Sequence, residues 1–287
     1  MNRCIIYNYS NAITEKLSGY RLIPRVKQLE DIDTAAADAS KRNNVFCIWA
    51  DCSLISVSDM KWDCIHTDLP IILYAYSLGD TFKTLCSIEM LRRLNIRIFL
   101  SSTCEENYHA IKMLSSLGIE TGILMDARHI NDDSFMDLAS YAMLGQMPHS
   151  SIEPFDYIWR NLKVDENLDL QTTYFDNPSK YIYINDNLDF AFSEEELDSK
   201  KFAGNLINVK NIEFENETAT KLQRYYSHFI ALDECSKCPS FRICNRISQS
   251  RFKDCTNVFA TIFEYAEIKS DSQQEHQNRN ARQICQL

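Results

Sequence analysis

VFCIWA (45–50), PIILYAY (70–76), IRIFL (96–100) and IETGILM (119–125) are four short apolar runs rich in β-branched and aromatic residues. Near-continuous apolar runs of this length read as parallel strands buried on both faces. Between them lie TFKTLCSIEMLRRL (81–94) and NYHAIKMLSSL (107–117), whose apolar residues recur at three- and four-residue steps, as on one face of a helix. DDSFMDLASYAML (132–144) adds a third such helix, with acidic residues at its start, where the helix dipole favours them. Repeated βα order predicts an α/β fold, a layer or partial, degenerate βα barrel occupying residues 45–175.

Upstream, residues 1–44 contain RCIIYNYS and GYRLIP, two runs expected to form a strand–turn–strand segment. Downstream, the texture changes near residue 170. DNPSKYIYINDNLDFAFSEEEL (176–197) predicts two short strands joined through Asn185-Asp186-Asn187, a turn-prone trio. A loop containing Gly204-Asn205 follows, and ATKLQRYYSHFIAL (219–232) has helical spacing and runs into a group of cysteines. These parts define a small cysteine-rich C-terminal domain, 176–268. KSDSQQEHQNRNARQICQL (269–287) is almost without apolar residues and is expected to be disordered.

With 45% hydrophobic and 24% charged residues, the chain has material for a substantial core. A net charge of −10 provides no broad basic field for phosphate backbones, so nucleic acid is not expected as a partner. No segment approaches the roughly 18 apolar residues of a membrane span. The opening residues turn polar at Asn8, too early for a signal-peptide core, and a soluble, cytoplasmic protein without a membrane partner is expected.

Without an export signal, eleven cysteines read as reduced thiols and metal ligands better than as a disulfide framework. Cys4, Cys47, Cys52, Cys64, Cys86 and Cys104 are scattered and read mostly as small buried hydrophobes. Cys235, Cys238, Cys244 and Cys255 are different: they fall within 21 residues, separated by two, five and ten. A Cys-x2-Cys pair can grip one metal or cluster from a single tight turn, and two further thiolates close the site. Zinc and iron–sulfur clusters both accept four thiolates, so spacing leaves that choice open.

Other titratable groups read more plainly. His109 and His129 stand in no nucleophile or metal spacing and read as solvated or satisfied side chains. Glu194, Glu195 and Glu196 after Ser193 read as a water-exposed helix or loop start. Tyr225, Tyr226 and His228 read as core and rim of the helix entering the cysteines, and Arg92, Arg93 and Arg97 as a small basic patch.

In order, YIYINDNLDFAF (181–192), Gly204-Asn205-Leu206, DECSKCPSFRICNR (233–246) and a later cysteine resemble the parts of a SPASM domain, over about residues 180–268. That domain follows a radical S-adenosylmethionine barrel in peptide-maturation proteins, and its cysteines share two auxiliary iron–sulfur clusters. This chain departs from the pattern: Ser248 and Val209 stand where the family has cysteines, and the hairpin has none. The losses fall on one cluster. The resemblance implies that the other survives, as one 4Fe–4S centre on Cys235, Cys238, Cys244 and Cys255.

Radical chemistry would also need an early Cys-x3-Cys-x2-Cys, but Cys47 and Cys52 are separated by four residues and Cys52 and Cys64 by eleven. No independent radical activity is expected. The resemblance therefore implies an accessory protein in the maturation of a ribosomally synthesised peptide, with the precursor peptide, an ATP-grasp ligase or another peptide-modifying enzyme as partner. The alternatives are an electron-transfer subunit for such an enzyme and an unrelated structural Cys4 zinc protein. Metal and sulfide analysis of anaerobically purified protein is expected to find about four iron and four sulfide per chain; zinc without sulfide would select the zinc alternative.

Overall fold

The structure, a computed structural model, describes residues 3–41, 44–125, 130–162, 170–207, 237–238 and 255–284. β1 (Cys4–Asn8) leads through α1 (Asn11–Lys16) to β2 (Arg21–Val26), and α2 (Ile32–Ser40) leads to β3 (Asn44–Val45) and β4 (Ile48–Ser56). Then come β5 (Ile71–Ser77), α3 (Thr81–Leu91), β6 (Ile96–Ser101), α4 (Glu106–Ser116), β7 (Glu120–Leu124), α5 (Asp132–Leu144), β8 (Ile152–Glu153) and α6 (Phe155–Asn161). β9 (Tyr181–Ile184), β10 (Asp189–Ala191), α7 (Glu194–Asp198), β11 (Gly204–Asn205) and α8 (Cys255–Ile284) complete the described elements.

All the strands share one sheet in the order β11-β10-β9-β1-β2-β4-β5-β6-β7-β8, with β3 paired to β2. Every pairing from β9 to β8 is parallel, and β10 and β11 run antiparallel at one edge. From β1 to β8 the path advances in chain order, so right-handed crossovers carry the helices to one side. Among the described residues, no pairing joins the two ends of the path.

The pleat sorts the side chains. Ile48, Ala50, Ile71, Leu73, Ala75, Ile98 and Leu100 face the helices in the main core. Their neighbours Trp49, Tyr74 and Phe99 point the other way, with Cys47, Tyr181 and Tyr183, into a second apolar cluster. Both faces are therefore buried, which is why the runs are apolar throughout.

Helix starts follow the local chemistry. The Asp80 carboxylate accepts from Phe82 N (2.9 Å) and Lys83 N (3.3 Å) at the head of α3, and the Asn131 side chain accepts from Ser134 N (3.1 Å) at the head of α5. Asn107, buried in α4, donates to Tyr76 O (2.9 Å) and Ser101 O (2.7 Å), pinning α4 to the ends of β5 and β6.

Several expectations change. Residues 1–44 are not a strand–turn–strand unit: α1 joins two parallel strands, held by Ser10, whose side chain accepts from Ile13 N at 3.3 Å. These strands lie in the middle of the same sheet, between β9 and β4. VFCIWA is divided, with β3 ending at Val45 and β4 starting at Ile48. The expected hairpin forms as β9 and β10 but extends the main sheet through β1, and the expected Gly204-Asn205 loop supplies β11. The stretch from 269 continues α8 to Ile284, since its Gln, Glu, Lys and Arg residues are good helix formers. Val258, Phe259, Ile262 and Ala266 bury the first half of α8 in the main core, and Lys269 Nζ donates to Ala142 O at 2.6 Å. The 219–232 helix and residues 285–287 lie outside the described residues. No helix is long and apolar enough to cross a membrane among the described residues.

Gly122 pairs with Phe99 across β6 and β7, and a Cβ there would come within 2.6 Å of Phe99 Cδ1. Gly122→Ala is expected to cost about 1–3 kcal/mol by overpacking this face, read as a lower urea midpoint with an unchanged slope.

Candidate functional site

The sheet face away from most of the helices is covered by the turn at Leu170–Tyr174 and by Phe175. Phe175 lies 5.2 Å from the Trp49 ring and 5.3 Å, edge-on, from Tyr181. Tyr174 OH donates to Ile123 O at 3.0 Å, and Tyr183 OH donates to Phe175 O at 3.0 Å. This plug closes the middle of the face. Beyond it, at the carboxyl ends of the strands, remains a cavity of about 410 Å³, on the side where open α/β sheets place their ligand sites.

Trp49, Tyr74 and Tyr183 line the cavity, together with Asp51, Asp176, Glu194 and Glu195. The cation among the described lining residues is Arg25. It comes from β2, donates through Nε to Asp51 Oδ2 at 3.0 Å, and makes closer contacts to Asp51 and Glu194 through its other nitrogens. Its guanidinium lies 4.4 Å over the Trp49 ring. Burial opposes the Arg25 charge, but the bonds to Asp51 and Glu194 outweigh it and raise its pKa. Ser193 caps α7 by accepting from Glu196 N (3.3 Å), which fixes Glu194 at the rim.

Trp49 and Tyr74, two of the lining residues, each bury a polar atom, Nε1 and OH, that has no hydrogen-bond partner among the described residues. Burial, followed by the neighbouring Tyr183, Tyr174, Asp176 and Asp51, pushes the Tyr74 phenol well above its ordinary value. Tyr183 is raised by burial, Asp176 and Glu194 against the opposing Arg25. Both stay neutral phenols near neutral pH.

Of the expected metal ligands, Cys238 and Cys255 are described, both partly exposed free thiols, and Cys255 opens α8 against the main core. Cys235 and Cys244 lie outside the described residues. No group of three His, Cys, Asp or Glu side chains is placed to hold a metal among the described residues. Four thiols, two of them accessible, remain a donor set suited to an iron–sulfur cluster or zinc.

Cys4, Cys47 and Cys52 are buried as expected, but Cys64 and Cys104 are only half-buried and Cys86 is exposed. His109 is exposed on α4, while His129, Tyr225, Tyr226 and His228 lie outside the described residues. Arg97 does not join Arg92 and Arg93 in a patch, because it pairs with Glu120 (2.6 Å) and Glu153 (3.1 Å). Glu194 opens α7 with its side chain 39% exposed, as expected of a water-facing helix start, and also pairs with Arg25. Arg25, Asp51, Trp49 and Tyr74 were missed as a site. A usable signal was present: Asp51 directly follows the apolar run VFCIWA, and RLIPRV places charge on a buried strand at Arg25.

Comparison with protein-family models, curated proteins and solved structures finds no match for the chain.

The buried phenols set a pH limit. A phenol raised in the folded state contributes stability that is intact below its unfolded value, near 10.0, and is lost as pH rises toward the folded value. The urea midpoint is expected to hold steady to about pH 9 and fall above 10, with a smaller fall in Tyr74→Phe. A midpoint that rises above pH 10 would contradict this.

Proposed function

We propose that the chain is an accessory protein in ribosomal-peptide maturation that binds a precursor peptide or its modifying enzyme. It belongs to the cytoplasm, and its open βα sheet corresponds to a partial barrel that precedes a reduced SPASM-like region. Cys235, Cys238, Cys244 and Cys255 hold one 4Fe–4S centre, which acts as a structural rivet. The observation that carries this reading is the ligand set: the Cys-x2-Cys-x5-Cys run and one later cysteine, all belonging to a single cluster of the family pattern.

The described structure supports it in two ways. Helix α8 is anchored on the body through Phe259, Ile262 and the Lys269 bond to Ala142. A centre that includes Cys255 at the head of that helix ties the cysteine segment to a fixed point. Cys4, Cys47 and Cys52, on or beside the strands, are buried, with pKa values raised first of all by burial, which disfavours the thiolates a metal requires. Four-thiolate ligation supplies folding energy, on the order of 10 kcal/mol in zinc-finger peptides, without an open coordination position.

Replacing iron with zinc tests the rivet. Zinc accepts the same thiolates and has no redox couple. The zinc form is expected to match the iron form in protease resistance over 230–260, in partner binding and in product formation by the modifying enzyme, whereas Cys238→Ala loses all three. Binding retained with product lost in the zinc form would replace the rivet with an electron-transfer role.

A further inference from the structure

We propose that α7 is a lid on the cavity at the carboxyl ends of the strands, latched by the Arg25–Glu194 ion pair and released when that pair is screened or lost.

Position makes the first part of the case. Ser193, Glu194 and Glu195, at the head of α7, share the cavity lining with Arg25 of β2 and with Trp49 and Asp51 of β4. The helix is therefore part of a wall, and none of its residues is buried. Within EEELD (194–198), Leu197 is the apolar side chain, and it packs partly buried against the plugged cluster. The two ends of the segment are clamped at the sheet, where β10 precedes α7 and Ala203 N donates to Phe190 O at 2.8 Å.

The segment is also closed on itself. Ser193 accepts from Glu196 N, and Glu196 Oε2 in turn accepts from Phe192 N at 3.2 Å, a reciprocal cap. At the other end, Ser199 N donates to Glu195 O (3.0 Å), Lys200 N to Leu197 O (3.0 Å) and Lys201 N to Glu196 O (2.8 Å), with Lys200 left-handed at φ +57. All these bonds lie within residues 192–201. A swing of the segment as one unit keeps them, as hinge motions do.

The latch itself is asymmetric. Asp51 holds Arg25 through Nε and one terminal nitrogen, and Glu194 holds it through the other. The Asp51 side chain is 13% exposed and that of Glu194 39%, so Glu194 is the partner nearer to water. When Glu194 leaves, the guanidinium stays paired with Asp51 and stacked over Trp49, and no bare charge is left behind. A half-exposed pair of this kind is weak and yields to salt, which screens charges near the surface.

Access to Trp49 reads the lid directly. The chain has three tryptophans, so 19F NMR of the 5-fluorotryptophan protein gives one line for each, and Trp49→Phe assigns the relevant one. Broadening of that line by a soluble, uncharged gadolinium chelate measures how far the cavity is open. Between about 20 and 500 mM sodium chloride the broadening is expected to rise at least about 2-fold, while the Trp62 and Trp159 lines hold steady. Glu194→Gln is expected to show the high value at both salt concentrations and to melt within about 3 °C of the parent. Leu197→Ala, which loosens the seat and keeps the latch, is expected to raise the low-salt value and retain the salt response. A Trp49 line indifferent to salt in the parent would overturn the lid, whether or not the variants fold. So would a line that shifts in Glu194→Gln without further broadening, because the charge would then be gone with α7 still in place.

Discussion

Winding every crossover of a parallel sheet in one direction sends the helices to one face and leaves the other without cover. In a doubly wound sheet the strand order reverses and helices shield both sides; here the order from β1 to β8 never reverses. Trp49, Tyr74 and Phe99 would stand in water on the bare face. The chain covers them with its own loop, which passes over the face before β9 and presses Phe175 onto Trp49. A loop buried in this way must satisfy its backbone without water. The Tyr183 hydroxyl supplies part of that by serving the Phe175 carbonyl, and the loop's own Tyr174 hydroxyl anchors it on Ile123 O of β7. Phe175 itself takes φ +60, a left-handed backbone that a bulky residue adopts only when its surroundings demand it.

Covering the face with a short loop instead of a helical layer has a consequence for chemistry. The plug reaches only as far as Phe175 and Tyr174, so the carboxyl ends of the strands stay open, and polar residues can occupy strand positions that would otherwise be buried. Arg25 and Asp51 do this on adjacent strands. Their side chains are 15% and 13% exposed, so the pair sits in a setting of intermediate dielectric, where attraction is strong and desolvation is incomplete. Trp49 links the two regions, with Phe175 against it on the plug side and the Arg25 guanidinium over its ring at the mouth.

The α/β class was legible because burial on both faces and helical periodicity are local signals: β5, β6, β7 and helices α3, α4 and α5 fall within a few residues of the runs that announced them. What was not legible depends on pairing across distance. The first two strands belong to the middle of the sheet because β9, more than 150 residues later, pairs with β1, and no local pattern encodes that partner. The hairpin turn at Asn185 was readable from its residues, but its attachment to the main sheet was not. The mouth was hidden for the same reason. Arg25, Asp51 and Glu194 lie on three separate elements, and only the fold brings them together. Asp51 carried a weak signal as a charge at the end of an apolar run, whereas Tyr74 inside PIILYAY looked like any other strand aromatic.

Cysteine number misleads in this chain, and environment sets three buried thiols apart from the rest. Cys4 and Cys47 face the plugged cluster, where burial raises both thiols and the nearby Arg21 only partly offsets it. Cys52 faces the helices, and burial together with Asp51 and Glu30 raises it to about 11. A metal ligand must give up its proton, and a low-dielectric pocket beside carboxylates works against that step. These thiols behave as apolar side chains of convenient size. Cys238 and Cys255 lie nearer to solvent, where water can reach them, and Cys255 sits at the head of a helix whose body is already anchored. A thiol that must exchange a proton for a metal needs access, and one that must fill a core needs the reverse. On the reading proposed for Cys238 and Cys255, these opposite demands fall to different parts of the fold.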